Sequence, residues 1–203
     1  MMIRGVLFDF DGTLTRPGSL DFPAIKAELG CPLDQPILEF LATLPRDRRS
    51  ALMKILDEME DRAGEESRPN RGAEKCLSIL QQKGFVIGIL TRNSLSSVKK
   101  ALVHFKGVSI NDFSAIITRD AVPIPKPRPE GARKAAMQMG LLPSEILVVG
   151  DYRFDVMAGK AAGAYTALLT NGKGSVMKAG DPKPDYIVGS LAEIIYILEL
   201  LKR

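Results

Sequence analysis

The sequence has little with which to cross-link itself. Its 203 residues include two cysteines, Cys31 and Cys76, with no CxxC pair. That leaves no ground for a disulfide framework or a thiolate zinc site, and a reducing cytoplasm is the expected setting. Histidine is scarcer: His104 is the only one, set in the run ALVHFKG away from any motif, and a structural role is expected of it. No apolar run is long enough for a bilayer; the first, ended by Asp9, is also too brief for a signal peptide. Blocks of one charge are missing too. The net charge is +4 and the pI near 9.1, with Lys and Arg scattered among Asp and Glu. No nucleic-acid or membrane partner is therefore expected, whereas a small anionic molecule suits the balance. There is no internal repeat and no low-complexity segment.

What the chain does have is 45% apolar residues, enough for a sizeable core. Short runs rich in β-branched residues alternate with helical patterns: RGVLFDF, FVIGILT from Phe85, FSAIITRD from Phe113, EILVVGD from Glu145 and AYTALLT from Ala164. GAEKCLSILQQKG, GARKAAMQMG and DVMAGKAAG are periodic stretches closing on a glycine suited to a helix C-cap. The alternation predicts an α/β fold with a doubly wound parallel sheet. DYIVGS and a helix from Leu191 complete its edge. The segment 16–68 breaks the pattern: it is helical in period, without a strand, and far longer than the ~2–6 residues of a plain βα loop. It is expected to be a small α-helical cap inserted after the first strand, with 1–15 and 69–203 as the core domain. A monomer or weak homodimer is expected.

The opening run VLFDFDGTLT places Asp9 and Asp11 in what reads as a buried strand, where carboxylates are costly. In a parallel sheet the ligand site lies beyond the carboxyl ends of the strands. Asp9 then closes the first strand and Asp11, Gly12 and Thr13 form the turn at the mouth of the site. Other strand ends and loops supply complementary groups: Thr91 in LTRN, Lys126 in PIPKPRPE, and Asp151 and Asp155 in GDYRFD. Carboxylates, one cation and a hydroxyl at strand ends suit a hard divalent metal and a phosphoryl group.

DFDGTLT, LTRN, PKPRPE and GDYRFD, in this order, resemble the four signature motifs of the haloacid dehalogenase-like (HAD) superfamily, with a Rossmann-like core and a helical cap, and the chain looks similar to its phosphoglycolate phosphatase-like members. The resemblance implies a Mg²⁺-dependent phosphatase acting on a small phosphorylated metabolite. It implies Asp9 as nucleophile forming an aspartyl-phosphate, Asp11 as general acid and then base, Thr91 binding phosphoryl oxygens, and Lys126 neutralising them. Mg²⁺ would be held by Asp9, Asp151 and the Asp11 carbonyl, with Asp155 a ligand through water or an orienting residue. Gly12, Thr13, Arg92 and Asn93 stand where substrate would be touched.

Blander readings exist for each residue. Asp9 and Asp11 could be turn residues, Thr91 a helix cap, Lys126 a solvated loop lysine, and Asp151 or Asp155 caps of the following helix. Arg92, Asn93 and Arg128 read most simply as surface positions, and Arg46, Arg48, Arg49, Arg62 and Arg68 as a solvated cap face. Among other activities, a dehalogenase would not need Asp11 or the metal set, and a phosphonatase would need a cap lysine, for which only Lys26 and Lys54 offer themselves by type. A phosphomutase shares the whole phosphoryl-transfer set. A binding protein on a retained fold is the alternative of a different class.

Overall fold

The structure, a computed structural model, describes residues 2–201; residues 1, 202 and 203, at the ends of the expected core segments, lie outside the described residues. Six strands form one parallel sheet: β1 (Gly5–Phe8), β2 (Val86–Leu90), β3 (Ala115–Ile117), β4 (Ile146–Gly150), β5 (Tyr165–Leu169) and β6 (Tyr186–Val188), in the order β3-β2-β1-β4-β5-β6. The order reverses between β1 and β4, whose registers pair Gly5 with Ile146 and Phe8 with Val149. That is the switch point at which a doubly wound sheet opens a crevice.

The strand sequences dictate the layering. Successive side chains on a strand point to opposite faces, so Val6 and Phe8, Ile87 and Ile89, and Leu147 and Val149 enter one core cluster while Leu7, Leu90, Ile146 and Val148 enter another. The first face is covered by α4 (Ala73–Gln82), α5 (Leu95–Leu102) and α8 (Leu191–Leu200), the second by α6 (Glu130–Gln138) and α7 (Arg153–Ala162). Because both faces are dry, the strands read as continuous apolar runs.

Between β1 and α4 lie α1 (Phe22–Leu29), α2 (Ile37–Ala42) and α3 (Arg46–Glu66). Asp21 caps α1 through Ala24 N at 3.0 Å, and Gly30 ends it at φ +65°. Pro45 sits at the N-cap of α3, where its missing N–H costs nothing and it breaks the period inherited from α2. Leu20, Ile25, Leu29, Cys31, Ile37, Leu41 and Leu56 form an apolar cluster separate from the two on the sheet. The chain enters and leaves this region side by side: Thr15 bridges Pro69, and Arg16 N donates to Arg68 O at 2.9 Å. Helix α3 packs along α5, and Gly64 makes the approach close, since a Cβ there would stand 2.7 Å from the Ser97 carbonyl oxygen. Lys100 on α5 pairs with Asp61 at 3.0 Å and Glu65 at 2.7 Å on α3. No described helix is long and apolar enough to cross a membrane.

Candidate active site

Asp9 follows β1 directly, with its N–H held by the Val149 carbonyl at 2.8 Å. The chain then turns through Asp11 and Gly12, the latter at φ +76°, a region open to glycine at little cost. Space makes the same demand, because a Cβ on Gly12 would overlap the Asp151 carboxylate. Two asparagines fasten this turn. Asn171 Nδ2 donates to the Gly12 carbonyl at 2.8 Å, and Asn70 Nδ2 reaches the Gly12 and Thr13 carbonyls at 3.3 and 2.9 Å. Asn70 also donates to Asn171 Oδ1 at 3.0 Å.

Lys126 is 3% exposed, at the base of the site. Its Nζ donates to Asp9 Oδ1 and, at 2.6 Å, to Asp155 Oδ1. Burial opposes the ammonium charge, but Asp155 and Asp9 outweigh it and hold the lysine above its ordinary value. The other Asp9 oxygen has only Thr13 Oγ1, at 3.4 Å. Asp155 Oδ2 accepts from Tyr152 N at 3.1 Å, so both oxygens of that carboxylate are engaged, while Asp151 accepts no hydrogen bond from any described residue. Carboxylate oxygens of Asp9, Asp151 and Asp155 lie within 4.8 Å of one another. Burial, and then the neighbouring Asp9 and Asp155 charges, push Asp151 above the ordinary carboxylate range. An oxygen-only donor set carrying more negative charge than one lysine can balance fits a hard divalent cation.

Asp11 is half-buried and accepts from Asn93 Nδ2 at 2.6 Å. Burial, the charge of Asp9 and that of Glu60 raise it to about 8. Thr91, at the end of β2, is buried; its hydroxyl accepts from Asn93 N at 3.2 Å and its N–H is held by Ile117 O at 2.9 Å. The expectation that Asn93 is a surface position is overturned, while Arg92 is partly exposed and paired. Asn93 is buried against Asp11, and Arg92 is held by Glu39 at 2.9 Å and the Lys126 carbonyl, with its guanidinium 5.2 Å from the centre of the Phe154 ring. Arg128 is exposed, as are Arg46, Arg48, Arg49, Arg62 and Arg68. Lys26 donates to the Leu33 carbonyl at 2.6 Å and Lys54 is exposed. His104 is partly buried just past α5.

Among the helices inserted between β1 and α4, Glu60 of α3 is buried. Both its oxygens accept from Arg119 Nη1, at 2.7 and 2.6 Å, and Oε2 also accepts from Ser94 N at 3.1 Å. Arg119 further donates to Asp57 and to the Arg92 carbonyl, the latter at 3.1 Å. Burial lifts Glu60 to about 7 against the pull of Arg119. Four of these residues escaped sequence reasoning. Asn70 and Asn171 precede glycine-containing turns, and Asn171 takes φ +52° at the end of β5, so its strand-end position was the available signal. Glu60 stands on the buried ladder Leu56, Glu60, Gly64, an acid where a helix face should be apolar. Arg119 carried no such mark.

The haloacid dehalogenase-like hydrolase family matches residues 3–163. An uncharacterised hydrolase of Saccharomyces cerevisiae is 31% identical over 205 residues, covering 99% of this chain and 93% of the relative. A phosphoglycolate phosphatase of Neisseria meningitidis is 29% identical over 221 residues, covering 95% and 92%. The crystal structure of a hydrolase from Pseudomonas syringae, 20% identical, covers 97% of this chain and 98% of its own with a TM-score of 0.78, a likeness of fold. With carboxylates, a lysine and a threonine hydroxyl gathered at the ends of β1, β2 and β4 and in the loop before α6, the chain is an enzyme belonging to the haloacid dehalogenase-like hydrolases.

Proposed function

We propose that this enzyme is a Mg²⁺-dependent phosphatase that hydrolyses a small phosphate monoester through an aspartyl-phosphate on Asp9. The observation that carries the reading is the asymmetry around Asp9. One oxygen is pinned by Lys126 and the other has only a long contact with Thr13, which leaves it free to attack while the first fixes its direction. In the first half-reaction a bond forms between Asp9 and phosphorus, the bond from phosphorus to the leaving oxygen breaks, and that oxygen takes the proton of Asp11. Asp11, raised to about 8, holds that proton at neutral pH, as a general acid must. In the second half-reaction water attacks phosphorus, returns its proton to Asp11 and frees the Asp9 carboxylate. Thr91 and the backbone amides beside it receive phosphoryl oxygens, and Lys126 offsets their charge. Asp9, Asp151 and the Asp11 carbonyl would hold Mg²⁺, with Asp155 orienting Lys126 or reaching the ion through water. When bound, the cation screens the repulsion between phosphate and the anionic nucleophile.

The segment 16–68 serves as the cap in this reading, closing over the strand ends and excluding water during transfer. Phosphate release from p-nitrophenyl phosphate should require Mg²⁺ and stop in excess chelator. Asp9→Asn should lower it by at least about 10⁴-fold while circular dichroism stays native. Turnover undiminished by chelator, or an active Asp9→Asn variant, would remove this mechanism.

A further inference from the structure

Glu60, Asp11, Asn93, Leu20 and Ala63 line a cavity of about 10 Å³ at the seam between cap and core. In the phosphatase reading, on which this inference rests, Asp11 delivers its proton to the leaving oxygen. Whatever is bonded to that oxygen must therefore lie against the wall that Asp11 shares with Glu60. The cations already described around the site are all paired. Lys126 is engaged by Asp9 and Asp155, Arg92 by Glu39, and Arg119 by Glu60 and Asp57. Each of these three cations already faces a carboxylate, and the Asp57, Arg119 and Glu60 group carries one more negative charge than positive. None is spare to receive a second anion on the substrate. Glu60 itself accepts from Arg119 Nη1 and Ser94 N, and a carboxylate offers about four acceptor positions, so it can still take a hydroxyl hydrogen.

We propose that Glu60 selects the leaving group: it accepts a hydroxyl of a neutral, hydroxylated alcohol and rejects a leaving group that carries its own anion. The substrate class is then a polyol or sugar monophosphate, set apart from phosphoglycolate, whose leaving alcohol carries a carboxylate. Selection by repulsion can match selection by attraction where a buried ionic group, here Glu60 and Asp57 sharing Arg119, carries net negative charge. Arg119 is the positioning residue, since it fixes both Glu60 oxygens.

The test measures kcat/KM with Mg²⁺ at one fixed pH near neutrality for p-nitrophenyl phosphate, glycerol phosphate and phosphoglycolate. The wild type should favour glycerol phosphate over phosphoglycolate by about ten- to a hundredfold, the effect of one like-charge contact in a partly buried site. Glu60→Gln, which keeps the shape and removes the charge, should collapse that ratio, and Glu60→Asp should keep it. A purely structural Glu60 would change all three esters together and leave the ratio alone, which overturns the inference. So does a wild type that cleaves p-nitrophenyl phosphate yet handles phosphoglycolate as well as glycerol phosphate; that result needs no variant to fold and leaves the phosphatase reading standing. No turnover of any ester would instead overturn both.

Discussion

Asp9, Thr91 and Asp151 reach the site from the ends of three neighbouring strands, β1, β2 and β4, whereas Glu60 reaches it from a helix that meets the core through side-chain pairs. The first set is placed by the ladder itself. Once Phe8 lies opposite Ile89 and Val149, the strand ends have nowhere else to be. The second set depends on Arg119 with Glu60 and Asp57, on Lys100 with Asp61 and Glu65, and on Gly64 against Ser97. Backbone register fixes the groups assigned to the chemistry, and exchangeable pairs fix the group assigned to selection. The two can therefore vary separately: a cap pair can be rewritten without shifting a strand end.

The largest expected effect that would sharpen this contrast lies on the core side. With an alkyl phosphate, Asp11→Ala should slow turnover by about 10²–10⁴-fold, the usual cost of losing general acid–base assistance. With p-nitrophenyl phosphate the leaving group departs unaided, so phosphate should accumulate on Asp9 and give a burst of nitrophenol in rapid-quench kinetics. Equal slowing on both esters without a burst would deny Asp11 its double role.

A cap-side change should act on stability instead. Arg119→Met leaves Glu60 buried without its counter-charge, and breaking a buried pair in this way costs about 3–5 kcal/mol. Adding Glu60→Leu to it should restore most of that loss in urea denaturation, because an apolar pair of similar volume replaces an ionic one at little net cost. No recovery in the double variant would mean that Arg119 acts chiefly through Asp57 or the Arg92 carbonyl.

The smallest effect lies within the core, where Arg153 binds Asp181 at 2.7 Å. Hydrogen bonds from Arg153, and then the Lys178 backbone N–H, lower Asp181 to about 2. A depressed carboxylate stabilises the fold above its unfolded value near 3.8 and loses that contribution as pH falls toward 2. Asp181→Asn should therefore melt slightly lower than wild type near neutrality and converge with it at the acid extreme, as thermal melts across pH would register.

Much of the core half was legible in the sequence. The period-two strands, the glycine-closed helices and the motif residues Asp9, Asp11, Thr91, Lys126, Asp151 and Asp155 could be read because each is announced by local pattern. The helical character of 16–68 could be read for the same reason, and the break between α2 and α3 falls at Pro45. What escaped depends on partners distant along the chain. Glu60 and Arg119 are 59 positions apart, and nothing local says that a charged residue on a helix will find its opposite in a loop beyond another strand. The burial of Asn93 and the pairing of Arg92 have no local mark, because their partners, Glu39, Lys126 and Asp11, come from three other segments.

The paired asparagines over Gly12 bear on the order in which this molecule can be completed. Asn70 lies 58 positions beyond Gly12 and Asn171 lies 159 beyond it, and both close on the same carbonyl oxygen. Contacts of such separation form only after the intervening chain has surrendered its freedom. The turn carrying Asp11 thus reaches its final shape only once β5 has joined the sheet, so a chain arrested before Asn171 could hold Asp9 on a strand and still lack a competent turn. Completion of the turn is in that sense tied to the docking of β5: an intermediate that is compact but lacks that strand has no fully fastened turn beside Asp9.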